Sequence, residues 1–189
     1  VSEPGPGRGA FVMVCGPSGA GKDTLLALVR AELGAEPGYR FVRRTITRLP
    51  DDNEDSDFLD DAAFDAAVAA GRFAIHWRAH GLGYGLPAEI DAGVAAGEVV
   101  VANVSRDVLD AGRARYPRTL VLHVTAPAPV LAARLAARGR ESAADILARL
   151  DRADACPVEG ADVVDIVNDG APEAAAARMA AGLRSLSGG

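Results

Sequence analysis

Gly16-Pro17-Ser18-Gly19-Ala20-Gly21-Lys22-Asp23-Thr24 follows directly on the apolar run Ala10-Phe11-Val12-Met13-Val14-Cys15. When a buried strand enters a glycine-rich turn and leaves it as a helix, here over Lys22 to Leu33, backbone N–H groups wrap a phosphate. The helix then aims the positive end of its dipole at the same point. The stretch therefore predicts a P-loop and the binding of a nucleoside triphosphate. Gly16, Ser18, Gly19, Ala20 and Gly21 form the cradle, and Lys22 reaches the β- and γ-phosphates as a fixed positive charge. One place departs from the pattern: the residue after the motif lysine is usually a Ser or Thr that ligates magnesium, and here it is Asp23, with Thr24 one place late. Both are candidate ligands for Mg2+. A carboxylate suits a hard cation, directly or through water, but adds negative charge beside the phosphates.

The 189 residues fall within the size of one domain that can bury a core without disulfides. The two cysteines make no framework. Cys15 ends a strand expected to be buried and Cys156 precedes Pro157 far along the chain, so both read as reduced thiols of a cytoplasmic protein. No stretch approaches the roughly 20 apolar residues of a membrane helix. The opening segment 1–9 lacks the apolar core of a signal peptide, and with 187–189 it is expected to be a disordered tail. A net charge of −6 argues against broad nucleic-acid binding, while still allowing a local basic pocket.

Alanine-rich stretches with helical spacing alternate with short Val/Leu/Ile runs, as when helices cover both faces of a mostly parallel sheet. The expected strands are 11–15, 40–43, 99–104, 120–124 and 163–167. The expected helices besides the first are 127–138, 142–155 and 172–186, with Pro127 and Pro172 suited to a first helical turn. The expectation is thus a three-layer α/β fold of the P-loop NTPase type, a single domain over 10–186. One segment breaks the alternation, from about Arg43 to Gly85, and an insertion of that size in a nucleotide-binding fold is a natural place for a second substrate.

Inside it, Arg43, Arg44 and Arg48 flank Thr45-Ile46-Thr47, a density of guanidinium suited to bidentate contact with a phosphate. The bland alternative is surface pairing with the acidic run Asp51 to Asp57, itself more simply a solvated loop, although Glu54 or Asp57 could orient a sugar hydroxyl or a metal-bound water. Arg134, Arg138, Arg140 and Arg149 span a helix, the break at Gly139 and the next helix. This reads as a lid over about 134–149, closing arginines onto a transferred phosphoryl group; for Arg134 and Arg149 the competing reading is decoration of a helix surface. His76, His80 and His123 fit no metal spacing, and His123, in an apolar strand, reads as a core histidine.

Taken together, the P-loop, Arg44-Thr45-Ile46-Thr47-Arg48, the segment from Trp77 to Gly83-Tyr84-Gly85, Arg138-Gly139-Arg140 and Asn168-Asp169 resemble the guanylate kinase family. The resemblance implies a core sheet, an acceptor-binding insertion and a lid. It also implies ATP and Mg2+, an acceptor phosphate held by Arg48 and Tyr84 with Arg44 as a further candidate, and Asn168 and Asp169 near the adenine. The departures are informative. The carboxylates with which guanylate kinases read guanine are replaced by His76 and Ser105, and Leu86 and Pro87 replace hydroxyl residues, which makes GMP a poor acceptor.

These replacements, with Gly21-Lys22-Asp23-Thr24, His76-Trp77, Glu89-Ile90-Asp91, Asn103-Val104-Ser105-Arg106 and Gly139-Arg140-Glu141, are similar to the guanylate kinase-like family of ribose 1,5-bisphosphate phosphokinases. That resemblance implies transfer of the γ-phosphoryl group of ATP to the 1-phosphate of ribose 1,5-bisphosphate, giving 5-phosphoribosyl 1-diphosphate (PRPP) and ADP, in phosphonate breakdown. The expected catalytic residues are Lys22, Arg138 and Arg140. The expected acceptor contacts are Arg44, Arg48, His76, Tyr84, Ser105 and Arg106, with Arg106 and Arg78 as candidates for the second phosphate. The expected partner is this small molecule, with no nucleic acid and no membrane, and self-association into a homo-oligomer is compatible with it. A nucleoside monophosphate kinase is the alternative enzyme. A P-loop switch or a non-catalytic interaction module is the alternative of another class; a silent module is expected to lose the P-loop glycines or Lys22, which this chain keeps.

Overall fold

The structure, a computed structural model, describes residues 9–49, 55–137 and 157–187. Five parallel strands form the central sheet: β1 (Ala10–Cys15), β2 (Tyr39–Phe41), β7 (Val99–Asn103), β8 (Thr119–Thr125) and β9 (Val163–Val167), in the order β2-β7-β1-β8-β9. The first strand, β1, is fully buried, which is why it reads as an unbroken apolar run rather than an alternation. Val12 and Val14 point to one face and Phe11, Met13 and Cys15 to the other, so alternate residues of one strand anchor two separate cores.

The first core is closed by α1 (Lys22–Leu33), α5 (Ala128–Ala137) and α6 (Pro172–Ser187). Leu25, Val29 and Leu33 recur every fourth residue on the buried side of α1 and are fully inaccessible. Each contributes about 1.5–3 kcal/mol by leaving water. Pro172 occupies the first position of α6, where its missing N–H costs nothing.

The second core joins the central sheet to the insertion. There, β3 (Arg44–Ile46), β4 (Ser56–Phe58), β5 (Phe73–Ala79) and β6 (Leu82–Pro87) form a second sheet in the order β4-β3-β6-β5. Ile75, Trp77 and Leu86 from this sheet pack with Phe11, Met13, Val100 and Ala102 of the central one. The helix α2 (Asp61–Ala69) covers the other side, where Phe64 stacks on Phe73 and Arg78 bonds Asp61 at 3.0 Å and Asp65 at 2.6 Å. Two further short helices, α3 (Glu89–Ala95) and α4 (Leu109–Arg115), lie on the same side of the central sheet as the second core.

The five strands of the central sheet fall where the apolar runs predicted them, except that the run 40–43 divides. β2 ends at Phe41, Val42 and Arg43 leave the ladder, and β3 begins at Arg44. The expected helix 142–155, most of the expected lid and the tail residues 1–8, 188 and 189 lie outside the described residues. Among the described residues, no helix is long and apolar enough to cross a membrane.

Candidate active site

The P-loop runs from the end of β1 into α1, and its glycines are needed sterically. Gly16 adopts φ +140°, and a Cβ there would lie 2.0 Å from the carbonyl oxygen of Val124 in β8. Gly21 adopts φ +89°, and a Cβ there would meet the Asn168 amide at 2.5 Å. The loop is therefore wedged between β8 and the end of β9, with its backbone at positive φ where only glycine is at ease. Lys22 closes it, donating from Nζ to the carbonyls of Gly16 at 2.8 Å and Pro17 at 3.0 Å. Among the cradle residues, Gly19 and Ala20 are buried and Ser18 is exposed.

Two side chains brace this loop from outside. Asn168, 3% exposed, donates Nδ2 to the Ala20 carbonyl at 2.8 Å, while its Oδ1 is buried with no hydrogen-bond partner among the described residues. The structure thus places Asn168 against the P-loop backbone; its neighbour Asp169 is exposed. From α5, Arg134 reaches the Gly19 carbonyl at 3.5 Å, and Leu131 and Leu135 pack over Gly19. Arg134, for which the sequence offers both a lid and a helix surface, reaches the loop from α5; Arg138, Arg140 and Arg149 lie outside the described residues.

At the start of α1, Asp23 and Thr24 are both exposed. They are not equivalent: Asp23 Oδ1 accepts a hydrogen bond from Nδ2 of Asn103, the last residue of β7, at 2.8 Å. Asp23 also lines a cavity of about 320 Å³, together with Leu26 and Arg30 of α1, Phe41, Arg44, Asp55 and Asn103. Positions 23, 26 and 30 share one helical face.

Arg44 lies over the Tyr84 ring, 5.5 Å from its centroid, and Tyr84 stacks on Trp77 at 5.2 Å with 9° between the ring planes. This pairing fixes the guanidinium and phenol in one patch. Arg48 is half-buried just beyond β3, whose Ile46 pairs with Tyr84 across the ladder. His76 alternates to the face of β5 opposite Trp77 and is exposed, apart from the Arg44–Tyr84 patch. The Ser105 hydroxyl is engaged locally, donating to the Asp107 carboxylate at 2.9 Å at the start of a 3-10 turn over 106–108 that carries Arg106.

Three further arginines form ion pairs. Arg43 bonds Asp55 at 2.8 Å and Asp57 at 3.1 Å, the surface pairing anticipated for this cluster, and Arg30 also bonds Asp55. Arg78 is committed to α2, on the side of the insertion away from the cavity. His123 sits across from Asp165, with Nδ1 2.8 Å from its carboxylate. Cys15 is fully buried below the P-loop, and burial pushes its thiol up to about 11, partly opposed by the charges of Lys22 and Arg106.

Asn103 belongs to the stretch Asn103-Val104-Ser105-Arg106 that carries the family resemblance, but the sequence alone gives it no role in the site; its bond to Asp23 does. The residues present suit a nucleotide with a divalent cation: a glycine cradle, a lysine, and a carboxylate held in place beside them.

Comparisons with known proteins agree in kind. The chain is 51% identical over 179 residues to the ribose 1,5-bisphosphate phosphokinase PhnN of Methylobacterium radiotolerans, covering 94% of this chain and 98% of that protein. It is 51% identical over 172 residues to the protein of the same name from Acidiphilium cryptum, covering 91% of each. In fold it resembles the crystal structure of guanylate kinase from Anaplasma phagocytophilum, with a TM-score of 0.64 at 20% identity over 94% of this chain and 85% of that one. No protein-family model matches the chain.

Proposed function

The chain belongs to the ribose 1,5-bisphosphate phosphokinase family, and from that membership and the site geometry we propose how its own residues divide the work. It is a kinase that phosphorylates ribose 1,5-bisphosphate with ATP, forming PRPP and ADP in phosphonate catabolism. An oxygen of the C1 phosphate attacks the γ-phosphorus, and the bond from that phosphorus to the bridging oxygen of ADP breaks. The attacking oxygen is already ionised at neutral pH, so no general base is required. The barrier is mainly the repulsion between two polyanions.

The P-loop backbone and Lys22 hold the donor phosphates, and Asn168 keeps the loop in shape from behind. Arg134, with Arg138 and Arg140 assigned to the lid on sequence grounds, neutralises charge on the transferred group. Asp23, with Thr24 beside it, is the group that would hold Mg2+, which when bound offsets phosphate charge. On the acceptor side, Arg44, Arg48 and Tyr84 bind phosphate and Arg106 is the further cation near the P-loop, while His76 and Ser105 replace the guanine-reading carboxylates without restoring their chemistry. The observation that carries this reading is a single cavity lined both by Asp23, the residue after Lys22, and by Arg44. A cytoplasmic location goes with ATP use and with a buried, reduced Cys15.

Incubation with ATP, Mg2+ and either ribose 1,5-bisphosphate or GMP, followed by phosphorus NMR, tests the reading. A new C1 diphosphate signal is expected from the first acceptor and little GDP from the second. GDP as the sole product would overturn it.

A further inference from the structure

The buried amide of Asn103 has one half of its hydrogen bonding accounted for. Nδ2 donates to Asp23 at 2.8 Å, and Oδ1 is enclosed with no partner among the described residues. The sense of the amide is fixed by chemistry, since a carboxylate accepts only, and turning the group over would set oxygen against oxygen. The unpaired carbonyl belongs to a side chain 9% exposed, on the strand paired directly with β1. Val14, one residue before β1 ends, is its register partner, and the Val104 N–H donates to the Val14 carbonyl at 2.9 Å. The amide is thus held rigidly beside the entry to the P-loop, with an acceptor waiting for a donor.

P-loop NTPases commonly hold their metal between a hydroxyl on the helix after the lysine and a carboxylate on a neighbouring strand. Here the carboxylate is on the helix and the neutral group is on the strand. Either way the pair carries a single negative charge. We infer that Asn103 is a positioning residue for Asp23: the amide fixes the carboxylate that would hold the metal. The charge has in effect moved from strand to helix, which gives Asp23 a reason that its place in the motif alone did not. The inference rests on the reading that Asp23 meets the divalent cation, and its test does not depend on which acceptor is used.

The test is Mn2+ binding to the full chain with ADP, titrated by electron paramagnetic resonance, alongside ADP affinity without metal and a thermal melt. Asn103→Ala is expected to weaken Mn2+ about tenfold or more, as loss of a group that orients a metal ligand does, while metal-free ADP affinity holds. Asn103→Asp, which keeps the side chain's shape, sets two carboxylates together and is expected to alter Mn2+ affinity while leaving the melt a single transition. The deciding variant is the exchange Asp23→Ser with Asn103→Asp, which restores the common arrangement and is expected to recover most of the affinity that Asp23→Ser loses alone. Unchanged Mn2+ affinity in Asn103→Ala, or an exchange variant no better than Asp23→Ser, overturns the inference. Should Asn103→Ala not fold, the exchange variant decides. A wild-type chain that binds Mn2+ with ADP but does not turn over ribose 1,5-bisphosphate would count against the proposed activity and leave the pair standing.

Discussion

Asn168 and Ala20 lie 148 positions apart in the chain and are joined by a 2.8 Å hydrogen bond from the side-chain amide to the carbonyl. This bond ties the last strand of the central sheet to the middle of the P-loop. Asn168→Ala leaves that carbonyl unpaired behind the phosphate cradle. We expect the variant to lose about 1–3 kcal/mol of stability and to show a raised KM for ATP. Chemical denaturation and steady-state kinetics check both, and an unchanged KM for ATP would remove the bracing role.

Arg134 meets the P-loop from α5 without being part of either core, so its loss should spare the fold. Arg134→Ala is expected to lower kcat about 100-fold, the scale seen when one preorganised donor to a developing charge is removed. Lysine at this position should recover part of the loss, because it keeps the charge but not the planar fork. A kcat unchanged by Arg134→Ala would return this arginine to the helix surface.

Arg44 and Arg78 offer a matched contrast. Both lie in the insertion, yet Arg44 borders the cavity over Tyr84, whereas Arg78 spans two carboxylates of α2. Arg44→Ala should raise KM for the acceptor about tenfold or more, consistent with losing a hydrogen bond to a charged group. Arg78→Ala should leave that KM alone and cost less than about 1 kcal/mol of stability, as exposed ion pairs do. The reverse pattern would place the acceptor on the other face of the insertion.

Asp162 accepts hydrogen bonds from Arg113 and Thr119, and the Arg113 contact chiefly holds its carboxyl below the ordinary 3.8. A depressed folded-state value means that the pair's stabilisation is fully present above 3.8 and is lost as pH falls through the folded value. The difference in unfolding free energy between wild type and Asp162→Asn should therefore be level from neutral pH down to about 5 and shrink in more acid solution. A difference that grows on acidification would contradict the assignment.

Cys15, with its thiol near 11, holds only about one part in a thousand of thiolate at pH 8 and is sealed from solvent besides. Iodoacetamide should leave it unmodified in the native chain and alkylate it readily in denaturant. Rapid native labelling of Cys15, read by peptide mass, would show that the floor of the P-loop opens.

What the sequence disclosed and what it withheld follow from distance along the chain. β1, the loop and α1 are contiguous, and their apolar run, glycines and the recurrence of Leu25, Val29 and Leu33 every fourth residue are each local signals, so α1 is found at Lys22–Leu33 as expected. α3 and α4 are seven residues each, with a glycine inside them, too short and too weakly periodic to read. In the site, the motif residues were legible, but their supports were not. Asp23 depends on an amide 80 residues away and Ala20 on one 148 residues away, and nothing in either local stretch names its partner. Arg43, Arg44 and Arg78 are alike in sequence, and only the folded insertion shows that Arg44 lines the cavity while Arg43 and Arg78 do not.

The stack of Trp77 on Tyr84 has a practical side. Trp77 is the only tryptophan in the chain, and it lies directly behind the tyrosine that shares a patch with Arg44. The molecule therefore carries a native optical probe: its indole emission originates at a single known point, one ring removed from the acceptor's expected berth, so that occupancy can be followed by intrinsic fluorescence without any label.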